Sequence, residues 1–158
     1  MKATEYKIET CVLDKDDTIH AILTNVDRGV FVPLYISKDH CSSLLDMFKN
    51  GKSPEQSLTW DFINSMWEQL GFEVRSIVID HQGHSGTLIP GITLVQNQFG
   101  EKFIHITMFI PIGAAILMSS YIDVPIYLTE RAEAVVKKVD IKKLLDYISE
   151  TDVLQENK

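Results

Sequence analysis

The sequence predicts an α+β fold, with a mixed, largely antiparallel sheet and helices packed on it in a single domain. Short apolar stretches bounded by turn residues recur over residues 5–36 and 72–109, which is typical of strands. Between and after them, apolar residues recur every three or four positions, as they do in amphipathic helices. A length of 158 residues suits one domain with its own core.

The first half of the chain predicts three strands and then two helices. The strands cover residues 5–13, 18–25 and 29–36, with hairpin-type turns between them. A helix follows from the cap residue Ser37 to residue 50, and Gly51 stops it. The second helix covers residues 58–70, with Ser57 or Thr59 as its cap and Gly71 as its stop.

The second predicted helix has a stripe of apolar side chains that we expect to be buried. Trp67 belongs to this stripe, whereas Trp60 is assigned to the surface as an interface or ligand platform. The full stripe is Phe62, Ile63, Met66, Trp67 and Leu70.

The second half predicts a buried strand over residues 72–80 and a hairpin of residues 87–96 and 102–109. Pro111 opens a helix that ends near residue 121, and residues 125–128 form a short strand. Two more helices follow, the first capped by Thr129. The domain is expected to cover residues 1–150, and residues 151–158 to form a frayed tail.

Composition and cysteine spacing limit which partners and which cellular compartment are expected. The net charge is −7, so nucleic acid is not an expected partner, because basic side chains supply most non-specific affinity for phosphate. Cys11 and Cys41 lack metal or CxxC spacing and no secretory signal is visible, which together predict a cytoplasmic protein. Residues 103–122 carry no charge, but Pro111 divides them, so a strand followed by a helix is expected instead of a membrane span.

Several strings occur in an order that resembles the bifunctional nuclease domain family. VPLYIS at 32–37 is similar to that family's LPIWIG, SLTWDFINSMWEQLG at 57–71 to its RPLTHDLL helix, and FEVRSIVID at 72–80 to its VERVVID. HSGTLIPGITL at 84–94 is similar to its DGTFYA hairpin, and PIGAAILMSSYIDVPIYL at 111–128 to its DARPSDAIALAL helix and PIYV strand. The resemblance implies cleavage of DNA or RNA, with Mg²⁺ or Mn²⁺ as cofactor.

Most polar residues of the family strings are replaced in this chain. Thr59 and Asp61 remain where the family has RPLTHDL, but its arginine, proline and histidine are lost. PIGAA at 111–115 stands in place of RPSDA, and His40 and Cys41 stand in place of an acidic residue and alanine. Phosphodiester hydrolysis needs a group that forms the nucleophile and a cation for the developing charge. The leading hypothesis is therefore a diverged domain without catalysis or cofactor that acts by binding or assembly.

Two other functions stay open. An active metal-dependent nuclease would use a relocated set, for which Asp61, Asp80 and His40 are the candidates. A small-molecule sensor would use a pocket beside Gly113, where small residues leave room for a ligand or another backbone. The candidate binding residues are Thr59, Trp60 and Gly113. Edge strands and the uncharged helix after Pro111 also predict a homo-oligomer, most simply a dimer.

No metal site is predicted. Asp80, His81 and His84 could bind a transition metal, but a polar hairpin turn uses the same residue types. The aspartates at 14–17 lack the glycine and closing glutamate of a calcium loop. His105 lies in an apolar strand, either lining a pocket or hydrogen-bonded in the core.

Overall fold

A computed structural model describes residues 2–13, 18–36, 38–82, 87–98, 102–149 and 152–153. The strands are β1 (Ala3–Leu13), β2 (Ile19–Asn25), β3 (Val30–Ile36), β4 (Phe72–Gln82), β5 (Thr87–Gln98), β6 (Lys102–Phe109), β7 (Ile126–Thr129) and β8 (Asp152–Val153). The helices are α1 (Lys38–Asn50), α2 (Pro54–Gln69), α3 (Ile112–Ile122), α4 (Glu130–Val135) and α5 (Ile141–Ser149).

All eight strands belong to one sheet, in the order β3-β2-β1-β7-β4-β5-β6, with β8 paired to β1. Among the described strands, only β4 and β7 pair in parallel, and every other pairing is antiparallel. The chain reaches β7 from β4 through β5, β6 and α3, the kind of long excursion that a parallel pairing requires. The predicted α+β fold with a mixed, largely antiparallel sheet is confirmed.

Strand β2 and the end of β1 are buried on both faces. Cys11 and Ala21 point into the main core, where the helix layer covers the sheet. Their sequence neighbours Val12 and Ile22 point to the opposite face, because side chains alternate along a strand. There they pack with Val139 and with Leu144 of α5 in a second, smaller core.

The main core lies between the sheet and the helices, and α3 contacts both α1 and α2. Ile116 of α3 and Leu44 of α1 are fully buried in it, as are Ile77 and Ile79 of β4. The apolar stretch 103–122 is divided as predicted into β6 and α3. In the described ranges, no helix is long and apolar enough to cross a membrane.

Part of the tail predicted to fray is paired. Val153 and Asp152 form β8 against Val12 and Leu13 of β1. Residue 151 and residues 154–158 of that tail lie outside the described residues.

Candidate functional site

Helix α2 exposes a row of large apolar side chains. Leu58, Phe62, Met66 and Leu70 are 69%, 64%, 46% and 59% exposed. They follow one another at intervals of four residues, so successive members are turned by only about 40° around the helix axis. We call these four residues the α2 stripe. A contiguous exposed apolar surface marks an interaction site, whereas single exposed apolar side chains are ordinary.

Local sequence determines both ends of α2. The Ser53 hydroxyl accepts a hydrogen bond from the Gln56 N–H at 3.1 Å, and Pro54 occupies the first turn, where its missing N–H is not needed. Gly71 has a φ of 78°, a left-handed conformation that glycine adopts without strain and that reverses the chain into β4. The prediction that the helix begins at residue 58, capped by Ser57 or Thr59, is therefore wrong by one turn.

Two tryptophans attach α2 to the rest of the molecule. Trp60 stacks on Tyr121 of α3 with ring centroids 6.5 Å apart, and Trp67 meets Phe72 edge-on at 6.1 Å. Both tryptophans are half-buried against the main core. Seven residues are close to two helical turns, so the two rings share a face. The assignment of Trp60 to the surface is therefore wrong.

The predicted buried stripe of α2 is also wrong for three of its five members. Ile63 and Trp67 are half-buried, but Phe62, Met66 and Leu70 are exposed. The helix is apolar on two faces, and only one of them can face the core. The two tryptophans are the largest apolar groups on the helix, and burying them turns the α2 stripe outward.

Two of the candidate site residues lie on the exposed part of α2. The Thr59 hydroxyl donates to the Glu55 carbonyl at 3.0 Å, a bond within the helix. Asp61 is exposed. Because the helix begins at Pro54, Asp61 lies beyond its first turn. The acidic residue in the first turn, which complements the helix dipole, is Glu55.

Asp80 has a structural environment at the end of β4. Its carboxylate accepts hydrogen bonds from the Thr129 hydroxyl at 2.5 Å and the His81 N–H at 2.9 Å, and it pairs with Arg131 at 2.5 Å. Burial by itself would raise the pKa of Asp80, but these hydrogen bonds and the guanidinium charge outweigh it and lower that pKa. Thr129 in turn caps α4 by accepting from the Ala132 N–H at 3.2 Å. Asp80 therefore joins β4 to the junction of β7 and α4.

The histidines give no site within the described part of the chain. The side chains of His40 and His105, and all of His84, lie outside the described residues. The imidazole Nε2 of His81 is buried and has no hydrogen-bond partner among the described residues. The described residues also contain no group of three or more His, Cys, Asp or Glu that could hold a metal ion. Asp61 and Asp80 therefore have no described metal-binding neighbourhood.

Gly113 lies buried in the first turn of α3. A cleft of about 520 Å³ lies beside β1 and β2, and another of about 500 Å³ lies between β1 and the end of α3. Gly113 lines neither of them. In the first cleft the side chains are of mixed charge, among them Lys2, Glu5 and Arg28. Neither of these clefts is therefore the pocket predicted beside Gly113.

A scan of the sequence against models of known protein families found no match, and a search of curated proteins found none either. The resemblance to the bifunctional nuclease domain family therefore stays a prediction.

Sequence reasoning missed the α2 stripe because it assigned Phe62, Met66 and Leu70 to the core and Trp60 to the surface. A signal was available in the spacing. Leu58, Phe62, Met66 and Leu70 form one row, while Trp60 and Trp67 form another about 130° away around the helix. Two separated apolar rows on one helix indicate a second contact surface beside the core-facing one.

Proposed function

We propose that this chain is a binding or assembly domain without catalytic activity, and that the α2 stripe is its docking face. The observation that carries this proposal is the exposure of four large apolar side chains in one row on a helix that has no buried residue. Exposing such a row to water is unfavourable, and burial against another protein surface removes that cost. We keep the diverged bifunctional-nuclease-like ancestry as part of the proposal.

The placement of the candidate catalytic residues supports binding rather than hydrolysis. Asp80 is engaged by Thr129, Arg131 and the His81 N–H, so its oxygens already have partners. Asp61 lies on an exposed helix surface. Neither arrangement provides the converging base, metal and cation that phosphodiester cleavage requires.

The partner in this proposal is a protein surface. Helix α2 carries Glu55, Asp61 and Glu68 but no lysine or arginine, so it offers nothing that would neutralise a phosphate backbone. A cytoplasmic location belongs to the same proposal, on the strength of the cysteine pattern.

The catalytic alternative is tested by a fluorescence nuclease assay on labelled single- and double-stranded DNA and RNA. The assay has Mg²⁺, Mn²⁺ and EDTA arms and an Asp61→Ala control. We expect no cleavage above buffer in any arm. Metal-dependent cleavage that the Asp61→Ala variant loses would overturn the proposal.

The docking face is tested by methionine oxidation in cells that produce the chain. Met66 in the stripe and Met108 on β6 are 46% and 38% exposed, so they form an internal pair. Brief peroxide treatment followed by peptide mass spectrometry gives the rate of sulfoxide formation at each. Relative to dilute purified protein, we expect oxidation of Met66 to slow several-fold in cells while that of Met108 changes little. An unchanged ratio of the two rates would contradict a covered stripe.

A further inference from the structure

We propose that the partner of the α2 stripe is the same stripe on a second copy of the chain. The two helices cross in antiparallel orientation about a twofold axis that passes between Phe62 and Met66. This inference rests on the proposed function, because it names the occupant of the same docking face.

The stripe has the geometry of a packing ridge. Leu58, Phe62, Met66 and Leu70 follow the row of every fourth residue, and such rows form the ridges of the commonest helix–helix packing class. Two copies of this ridge fit into each other's grooves when the helices cross at about −50°. The same surface on both copies is the defining property of a twofold dimer interface.

The order of side chains along the stripe is self-complementary. In the antiparallel arrangement, Phe62 faces Met66 of the second copy and Leu58 faces its Leu70, so every apolar side chain meets another. Aromatic and methionine side chains are enriched in interface cores, and here they occupy the centre of the row. The antiparallel arrangement also places the positive end of each helix dipole beside the negative end of the other.

The residues around the stripe are compatible with a dimer of an acidic chain. The exposed neighbours in its angular range are the uncharged Thr59 and Gln69, together with Glu55, which lies one turn before Leu58 and therefore at the rim. Asp61 and Glu68 lie about 120–140° from the centre of the stripe, so they point away from the second copy. An interface with an uncharged core and a polar rim results.

The exposed area indicates a weak dimer. A fully exposed large apolar side chain has an accessible area of roughly 150–200 Å². At the exposed fractions of its four members, the stripe presents an apolar area of about 350–500 Å² per copy. Two copies and a polar rim then bury about 1,200 Å², the lower end of specific interfaces. We therefore expect association in the micromolar range or weaker, visible only in a concentration series.

Sedimentation velocity on the full chain between about 1 µM and 1 mM tests the second copy. We expect the mass to rise from 18.0 kDa toward twice that value. The variant Phe62→Ser/Met66→Ser should stay monomeric, while Val135→Ser/Leu145→Ser, which removes exposed apolar residues from α4 and α5, should associate like the parent. A parent that stays monomeric at 1 mM, or equal loss in both variants, overturns the inference.

Charge exchange tests the antiparallel orientation. Phe62→Lys and Met66→Glu should each abolish association, and a mixture of the two should restore it at least tenfold, because residue 62 then faces residue 66 of the other copy. A parallel dimer places each residue against itself, so there the strongest recovery would come from mixing Phe62→Lys with Phe62→Glu, a mixture that gains no charge pair in the antiparallel dimer. If Met66 is oxidised slowly in cells but the purified chain stays monomeric, the proposal that the α2 stripe is a docking face is retained. Only the proposal that a second copy is its partner is then overturned.

Discussion

Helices α2 and α3 contact each other, but α3 is much the more apolar of the two and their burial differs. In α3, Gly113 and the four residues from Ala115 to Met118 are buried. In the longer α2 no residue is buried, and its stripe is exposed to water. The more apolar helix therefore lies in the core, while the more polar α2 leaves a row of its apolar side chains exposed.

Side-chain size and neighbouring elements add to this difference. Gly113 and Ala115 have small side chains, which let the backbone of α3 approach the sheet, and α3 has contacts on both sides, to α1 and α2. Helix α2 is held to α3 and β4 by Trp60 and Trp67, and its other apolar row, the α2 stripe, is exposed. The stability of the fold should depend on α3 and on the tryptophan face of α2, and hardly on the stripe.

The largest effect is expected in α3. Ile116→Ala removes a fully buried side chain from the main core, and the cavity that remains should lower the free energy of unfolding by about 3 kcal/mol. Urea unfolding followed by circular dichroism measures this. A loss below about 1 kcal/mol would mean that α3 packs no more tightly than α2 and would remove the contrast.

The tryptophan face of α2 should come next. Trp60→Ala loses the stack on Tyr121 and half-buried apolar area, and we expect a loss of about 2 kcal/mol in the same urea experiment. Trp60→Phe keeps an aromatic ring and removes an indole N–H that has no described hydrogen-bond partner. It should recover most of the stability, and equal losses in both variants would show that the stack contributes little.

Loss of the Asp80 contact should reduce stability less than Ile116→Ala or Trp60→Ala does. Asp80→Asn keeps the size of the side chain but removes its charge beside Arg131, and we expect a loss of about 1 kcal/mol at pH 7. The pKa of Asp80 is lowered in the folded state, so its ionised form stabilises the fold above the unfolded pKa of about 3.9. That contribution disappears as the pH falls through the folded pKa.

Urea unfolding at several pH values checks the sign for Asp80. The difference between parent and Asp80→Asn should be constant from about pH 5 to 8 and shrink below about pH 4. The exposed Asp61→Asn is the matched control, and we expect it to leave stability at neutral pH unchanged. A difference that grows on acidification would contradict the structural role of Asp80.

The sequence predicted the element order and the fold class because strand alternation, glycine stops and capping residues act locally. It placed α3 correctly, since Pro111 separates the helix from β6. It did not predict the orientation of α2, because that depends on Tyr121, which lies 61 positions beyond Trp60 in the chain. The partners of Asp80 were missed for the same reason, since Thr129 and Arg131 reach it only through the β4–β7 pairing.

The smallest effect is expected at the stripe itself. At concentrations where the chain is monomeric, Phe62→Ser/Met66→Ser should change the free energy of unfolding by no more than about 0.5 kcal/mol per substitution, because both side chains are exposed before and after unfolding. Urea unfolding at 1 µM measures this, with Val135→Ser/Leu145→Ser as the control pair. A loss above about 2 kcal/mol for the stripe variant alone would mean that the row is packed within its own chain. If the stripe variant keeps its stability but loses association, the two apolar faces of α2 have different roles. The tryptophan face then holds the helix to its own fold, and the stripe is available to a partner.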